Sequence, residues 1–299
     1  KMGKKRVLIT GASGFIGQFV LKEMLKNEDI DFFAIDTRKI PNISTEKQEL
    51  VSLLDKEKLM EIIKRYKPNI IIHLAAIALV THDNVGEIYN VNVQGTENLL
   101  EVTQEYCDKG TRVILASTAG VYGNQKVEKY KEDLPYNPAN NYSYSKMITE
   151  YLGKRYKDDL EIVTIRPFNI IGVGQSEKFL VPKLVEHFAD RKEKLSVGNI
   201  SSFRDYVDVE YCAEVIMELI SRKKLDFAKT VEITVLPNSK SEEKLTKING
   251  IFFLENETAS AIIEAGKISM IKPRIKDDFF IANEFEDFVE EIRRLEKRL

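Results

Sequence analysis

Tyr142 and Lys146 stand four residues apart in the stretch NNYSYSKMITEYLGKRY (140–156). On a helix, positions i and i+4 share one face, so an ammonium can sit beside a phenol. A phenol with an ordinary pKa of roughly 10 exchanges no useful proton at neutral pH. A neighbouring cation that lowers it turns the pair into an acid–base catalyst. Tyr144 competes for the same lysine, but two residues on a 3.6-residue turn carry it about 200° around the helix, so it points away. Taken alone, the spacing also fits two exposed surface residues. The chemistry depends on what else the chain brings to the same place.

A second grouping lies near the start. VLITGASGFIG sets Gly11, Gly14 and Gly17 directly after a β-rich run and ahead of a helical pattern. The N–H groups of such a loop, with the N-terminus of the helix, can hold a pyrophosphate, and glycine lets the phosphates approach. The GxxGxxG spacing is a variant of the dinucleotide fingerprint; Ser13, Phe15 and Ile16 fill the loop between the glycines. Asp36 ends the next strand, about 20 residues on, where a carboxylate accepts the ribose hydroxyls of NAD and repels a 2′-phosphate. Arg38 and Lys39 can neutralise that phosphate, so NAD is favoured and NADP stays open.

These groups need a scaffold. Strand signals at 6–10, 31–36, 69–75, 111–118 and 160–167 alternate with helix signals at 15–27, 55–66, 86–106 and the Tyr142 stretch. That alternation predicts a mostly parallel sheet with helices on both faces. NIIIHLA (69–75) is apolar almost throughout, as a strand buried on both faces must be. Ser117 and Thr118 then fall at the carboxyl edge of the sheet, where open α/β sheets bind ligands. From about Phe168 the rhythm breaks. Helices are expected near 177–190 and 208–221, a loop at 196–206, a strand near 231–236 and a charged amphipathic helix near 284–298, while 238–281 shows no clear pattern. The expected domains are a dinucleotide-binding unit, 1–167 with 204–222 packing back onto it, and a smaller α+β substrate-binding unit, 168–299.

The 299 residues are 43% hydrophobic and 31% charged, with a formal net charge of −2. Such a chain buries a sizeable core and has no basic field to draw nucleic acid. No run reaches the roughly 18–20 apolar residues of a membrane span, and the N-terminal stretch has no signal-peptide core. No membrane partner and a cytoplasmic location are therefore expected. Two cysteines far apart, Cys107 and Cys212, agree with a reducing compartment. His73, His82 and His187 show no metal-ligand spacing, so no metal is expected.

Several blocks stand in one order over about residues 5–220: TGASGFIG, HLAA (73–76), NVNVQGTENLLE (90–101), STAGVYG (117–123), YSYSK (142–146), RPFNIIGVGQ (166–175) and FRDYVDVEYCAEVI (203–216). In them the chain resembles the extended short-chain dehydrogenases/reductases that act on nucleotide-diphosphate sugars. The resemblance implies a Rossmann-type, doubly wound parallel α/β sheet with a smaller α+β C-terminal substrate domain. It also implies roles. Thr118 takes the position of a strand-end hydroxyl that bonds the sugar oxygen, Tyr142 moves the proton of that oxygen, and Lys146 holds the nicotinamide ribose. Leu74, Ala75, Ala76 and Pro167 join the glycine loop, Asp36, Arg38, Tyr142 and Lys146 around the cofactor. Ser117, Asn169 and Arg204 join Thr118 and Tyr142 at the substrate, with the Arg204 fork suited to clamp the diphosphate. Asn92 matches a helix asparagine that supports the site, and a plain packing amide fits it equally.

Departures from the family pattern narrow the reaction. Dehydratases of this family carry Asp-Glu, or a Glu, directly after the threonine; here Ala119 and Gly120 follow Thr118. Without that carboxyl group dehydration is not expected. What remains is redox at carbon 4. A 4-keto-sugar reductase comes first, because residues 172–209 are similar to GDP-4-keto-6-deoxymannose reductases. A 4-epimerase with tightly bound NAD comes second. A non-catalytic NAD(P)-binding sensor comes third, weakened by the presence of both Tyr142 and Lys146. Ser52 stands where the family usually has an adenine-contacting aspartate. In the family it resembles, the helices corresponding to 86–106 and 141–157 commonly pair across a two-fold, which implies a homodimer; a monomeric mass in solution would count against it.

Overall fold

The computed structural model describes residues 4–78, 83–127, 130–190 and 206–222, and the backbone of 230–233, 261–264 and 267–270. Apolar runs form the strands β1 (Lys5–Thr10), β2 (Ile30–Asp36), β3 (Gln48–Leu50), β4 (Ile70–His73), β5 (Arg112–Ala116) and β6 (Glu161–Pro167). Between them lie α1 (Phe15–Leu25), α2 (Lys56–Tyr66), α3 (Val85–Tyr89), α4 (Gly95–Tyr106) and α5 (Asn141–Arg155). Then come β7 (Asn169–Ile171), α6 (Leu180–Ala189), β8 (Tyr206–Asp208), α7 (Val209–Ser221), β9 (Thr230–Ile233), β10 (Ala261–Glu264) and β11 (Lys267–Met270).

The main sheet has the order β3-β2-β1-β4-β5-β6-β9, and every pair in it is parallel. The order reverses between β1 and β4. Their carboxyl ends therefore diverge into separate connections and open the crevice at which Rossmann-type sheets bind ligands. The register puts Thr10 beside His73 and His73 beside Leu115, so the ends of β1, β4 and β5 lie level.

Burial follows from the pleat, whose side chains alternate between faces. Leu8, Phe33, Ile35, Ile71, Val113, Leu115 and Ile162 share one core cluster with Leu59, Ile62 and Ile63 of α2 and Leu99, Leu100 and Val102 of α4. The alternate positions Val7, Ile9, Phe32, Ala34, Ile72 and Val163 are also buried, and α1 and α7 pack against each other. α5 lies directly on β5 and β6. A Cβ on Gly153 would sit 2.8 Å from Leu115 Cδ1 and 3.0 Å from Ile162 Cγ2, so a larger residue there would push the helix outward.

The chain divides into two compact units. One holds the sequence up to Phe168 together with Val209–Ile233. The other includes Asn169–Asp208, where β7 and β8 pair in parallel with Asn169 beside Tyr206. β10 and β11 form an antiparallel pair.

Three elements depart from the sequence expectation. The helix expected over 86–106 is interrupted: α3 passes into a π-helical turn, Asn90–Gln94, before α4. The strands expected at 69–75 and 111–118 end at His73 and Ala116. One further bond continues each ladder past those points, Leu74 N–H donating to Thr10 O at 3.1 Å and Ser117 N–H to Ile165 O at 2.8 Å. The loop expected at 196–206, except its last residue, and the helix expected at 284–298 lie outside the described residues.

Candidate active site

The glycine loop follows β1 without a break. Gly11 has φ +71°, and a Cβ there would lie 2.5 Å from Ala75 N. Only glycine tolerates both the left-handed backbone and that approach to the end of β4. Gly14 precedes α1 as its N-cap and brings no side chain to it. The N–H groups of the first turn, at Phe15, Ile16 and Gly17, are thus left without a capping side chain, at the positive end of the helix. Asp36 is 8% exposed, yet it is well held: Oδ2 accepts from Ser13 N–H at 2.8 Å and Oδ1 from Arg38 N–H at 3.1 Å. Arg38 Nη2 donates to Ser13 Oγ at 3.1 Å, so loop and strand end are laced together. A carboxylate has about four lone-pair sites, which leaves room for ribose hydroxyls. An uncapped helix start, a glycine cradle and a fixed carboxylate are the donor and acceptor set that a dinucleotide requires.

Tyr142 and Lys146, the expected acid–base pair, are set by a helix cap. Asn140 Oδ1 accepts from Ser143 N–H at 2.9 Å, which starts α5 at Asn141 and fixes Tyr142 in its first turn. Tyr144 faces outward, 44% exposed. Lys146 is 3% exposed and donates from Nζ to Ala116 O at 2.7 Å; the same Nζ lies 6.0 Å from the centre of the Tyr142 ring. Burial pulls the Lys146 ammonium down to about 8, with Glu150 acting the other way. Burial pushes the Tyr142 phenol up to about 12. This differs from the sequence expectation of a lowered phenol: in the chain alone, loss of solvent raises Tyr142 above its ordinary value. No protein group among the described residues bonds the Tyr142 hydroxyl. Thr118 Oγ1 accepts from Gly120 N–H at 3.1 Å and keeps its own proton to donate.

A buried polar chain joins the cradle to this helix. Thr96 Oγ1 donates to Asn92 O at 2.5 Å, so it must accept from His73 Nε2–H at 2.8 Å. That leaves His73 Nδ1 to accept from Thr10 Oγ1 at 2.7 Å, while Thr10 Oγ1 accepts from Ala75 N–H at 3.2 Å. Asn92 bonds both backbone groups of Ile77 and donates to Ser145 Oγ at 2.9 Å, which donates to Tyr142 O at 2.7 Å. The π-helical turn swings Asn92 into this position; such turns often mark functional sites. His73 is 2% exposed, and burial, reinforced by Lys146, drives its pKa down to about 3. The unfolded chain protonates His73 below about 6.5 while the folded chain keeps it neutral. Its contribution to stability is therefore complete above pH 6.5 and lost as pH falls towards 3. In His73→Gln, denaturant titrations between pH 6.5 and 4 should show a shallower loss, by up to about 1.4 kcal/mol per pH unit. An unchanged slope would refute the assignment.

Other predicted residues fall out differently. Leu74 and Ala76 flank Ala75 at the cradle, partly exposed, and Pro167 is buried at the end of β6. Asn169 is exposed at the start of β7. Ser117, expected at the substrate, is 4% exposed and gives its hydroxyl proton to Glu150 Oε1, so its side chain supports the site from behind. His82 and Arg204 lie outside the described residues. Sequence reading missed Glu150 and Arg166, a fully buried ion pair. The signal was present: Glu150 stands at i+4 from Lys146 and i+8 from Tyr142, on the same helix face. Among the described residues no helix is long and apolar enough to cross a membrane, and no three His, Cys, Asp or Glu side chains gather as a metal site.

Known proteins are similar to this chain. GDP-6-deoxy-D-talose 4-dehydrogenase of Aggregatibacter actinomycetemcomitans is 34% identical over 217 residues, spanning 73% of this chain and 70% of that one. A dTDP-glucose 4,6-dehydratase of Neisseria gonorrhoeae is 26% identical over 242 residues, spanning 73% and 70%. The solved structure of the UDP-glucose 4-epimerase of Thermus thermophilus, a complex with NAD, superposes with a TM-score of 0.66 at 25% identity, over 91% of this chain and 88% of that one. Residues 7–233 match the family itself, and the chain is an enzyme belonging to the NAD dependent epimerase/dehydratase family.

Proposed function

We propose that this enzyme is an NAD(P)-dependent reductase of the carbon-4 ketone in a nucleotide-diphosphate sugar, with NAD the favoured cofactor. The observation that carries the reading is at Gly120. A Cβ there would lie 2.5 Å from Ser143 Oγ and 3.3 Å from Thr118 Oγ1. The space where a dehydratase needs a carboxyl group is filled by hydroxyl side chains, and Ala119 brings no acid either. With no carboxyl group at positions 119 and 120 to remove the α-proton or protonate a leaving hydroxyl, redox at carbon 4 is the chemistry favoured. The relative named a 4-dehydrogenase, which at 34% identity outranks the dehydratase at 26%, supports the same reaction type.

The Gly11–Gly17 loop would hold the pyrophosphate of NAD, Asp36 with Arg38 the adenosine ribose, Leu74–Ala76 and Pro167 the walls, and Lys146 with Tyr142 the nicotinamide ribose. Bound there, the nicotinamide supplies a hydride in the reductive direction and accepts one in the oxidative direction. Tyr142 gives its phenol proton to the carbon-4 oxygen, and Thr118 Oγ1 donates a hydrogen bond that orients the oxygen. A phenol that burial holds near 12 is fully protonated at neutral pH, which suits a donor better than a base. Lys146 stabilises the phenolate left behind until solvent returns the proton. Asn169 and Arg204 remain part of the proposed substrate side, while Ser117, its hydroxyl turned to Glu150, does not.

A 4-epimerase is the second reading, favoured by the likeness to the UDP-glucose 4-epimerase structure over most of the chain. The purified protein decides between them. Offered nucleotide-linked 4-keto-6-deoxyhexoses, a reductase consumes one NAD(P)H per hydroxyl formed. An epimerase carries NAD through purification and interconverts 4-hydroxyl epimers with no net consumption. Absence of any NAD(P)H oxidation with every 4-keto sugar sinks the primary reading.

A further inference from the structure

The Arg166–Glu150 pair is buried beside the acid–base residues, with 3% exposure at each member. Its geometry is a two-pronged fork: Arg166 Nε donates to Oε1 at 2.9 Å and Nη2 to Oε2 at 2.6 Å. Ser117 Oγ donates to Oε1 as well, and Tyr136 OH to Oε2 at 2.7 Å. On the other side, Arg166 Nη1 donates to Tyr122 OH at 2.7 Å and to Glu132 O at 3.2 Å. Nothing in the cluster is left unsatisfied. Buried ion pairs are weak sources of stability, since apolar residues of equal size often do as well. A pair this completely satisfied, next to proton chemistry, calls for another reason.

Position supplies one. Glu150 is one helical turn beyond Lys146 on α5, and consecutive residues of one strand end serve both: Ala116 O accepts from Lys146 Nζ, and Ser117 Oγ donates to Glu150. We infer that Glu150 is a positioning residue for proton transfer, whose carboxylate, one turn along the same helix face, is the counter-charge to the buried Lys146 ammonium, and that Arg166 fixes that carboxylate in place from behind. Its role in turnover rests on the reductase reading; its effect on Lys146 does not.

The other groups around Lys146 leave this task to Glu150. His73 on β4 is held neutral by burial and by Lys146 itself, and bonds Thr10 and Thr96. Tyr142 on α5 is protonated at neutral pH. β5 presents the Ala116 carbonyl, and the only cation on the neighbouring part of β6 is Arg166, spent on Glu150. The π-helical turn brings the neutral Asn92. Tyr122, in the turn after Thr118, takes an Arg166 hydrogen, α3 turns Tyr89 to Asn141, and α4 turns Glu97 to Arg155 and Tyr156. In line with this, Glu150 is the one charge that raises the Lys146 pKa against its burial.

The direct test is an NMR titration of the Lys146 side chain in ¹³C-lysine-labelled protein without substrate, its signal identified by loss in Lys146→Arg. Wild type should titrate near 8. In Glu150→Gln the midpoint should fall by about one pH unit or more, and where turnover is measurable the alkaline limb of kcat should move down by the same amount. Should Glu150→Gln fail to fold with Arg166 unpaired, Glu150→Leu/Arg166→Met keeps an apolar core and should still lower the midpoint, by less, because the Arg166 charge leaves with the carboxylate. An unchanged Lys146 midpoint in a folded variant overturns the inference, including the case where kcat falls equally at every pH. A wild-type enzyme with no reductase activity but a shifted midpoint in the variant would refute only the proposed reaction.

Discussion

Tyr142→Phe should lower kcat by about three orders of magnitude while changing dinucleotide affinity by less than about tenfold. The variant removes one oxygen and nothing that holds the helix. α5 is started by the Asn140 cap, and Tyr142 reaches the polar chain through its backbone carbonyl, which the variant keeps. What disappears is the only proton donor proposed at the carbon-4 oxygen, since Thr118 can donate a hydrogen bond but has no means of giving up its proton at neutral pH. General acid catalysis accounts for roughly 10²–10⁴ in rate, and the positioning by Thr118 and the bound sugar survives. Tyr144→Phe is the matched control. Its ring is 44% exposed on another side of the same turn, so turnover should stay within about twofold. Steady-state kinetics with a titration of NADH fluorescence reads both quantities. Full activity in Tyr142→Phe, or equal losses in the two variants, would refute the assignment.

The sheet and its cradle were legible because their signals are local. Strand, glycine loop and helix follow one another within residues 5–25, and the pattern by which apolar strands alternate with helices fixes a parallel sheet before any contact is known. Tyr142 could be chosen over Tyr144 for the same reason, since the helix period decides it. What the sequence hid was long-range. Arg166 and Glu150 meet only because Gly153 lets α5 lie close on β5 and β6, and nothing in the run IRPFN says that its arginine turns inward. Ser117 and Thr118 are neighbours with opposite tasks, one facing Glu150 and the other the sheet edge, and the pleat that separates them is set by where β5 ends. The π-helical turn at Asn90–Gln94 leaves no mark in composition either; it reads as a smooth helix. The raised Tyr142 phenol was hidden as well, because burial is a property of the whole fold and not of the Tyr-Lys spacing.

Burial has a cost at Lys146 that makes a second large effect measurable. Lys146→Met should abolish turnover, by about three orders of magnitude or more, and at the same time make the protein more stable at pH 7. The ammonium is 3% exposed and its pKa sits near 8 in the folded chain, against 10.5 as the ordinary value. Below pH 8 both states carry the proton, and the folded state bears the full penalty of holding a charge away from water. Between 8 and 10.5 the folded chain releases the proton while the unfolded chain keeps it, so wild-type stability rises with pH across that window. Above it the penalty is gone. At about 1.4 kcal/mol per pKa unit the penalty is about 3 kcal/mol, and the lost bond to Ala116 O returns about 1 kcal/mol of it. Methionine fills the same volume without charge, so Lys146→Met should gain about 1–2 kcal/mol at pH 7 and lose that advantage as pH climbs towards 10.5. Denaturant melts at pH 7 and pH 10 measure the difference. A variant destabilised at both values would mean that the lysine is held there by its bonds, not in spite of its charge.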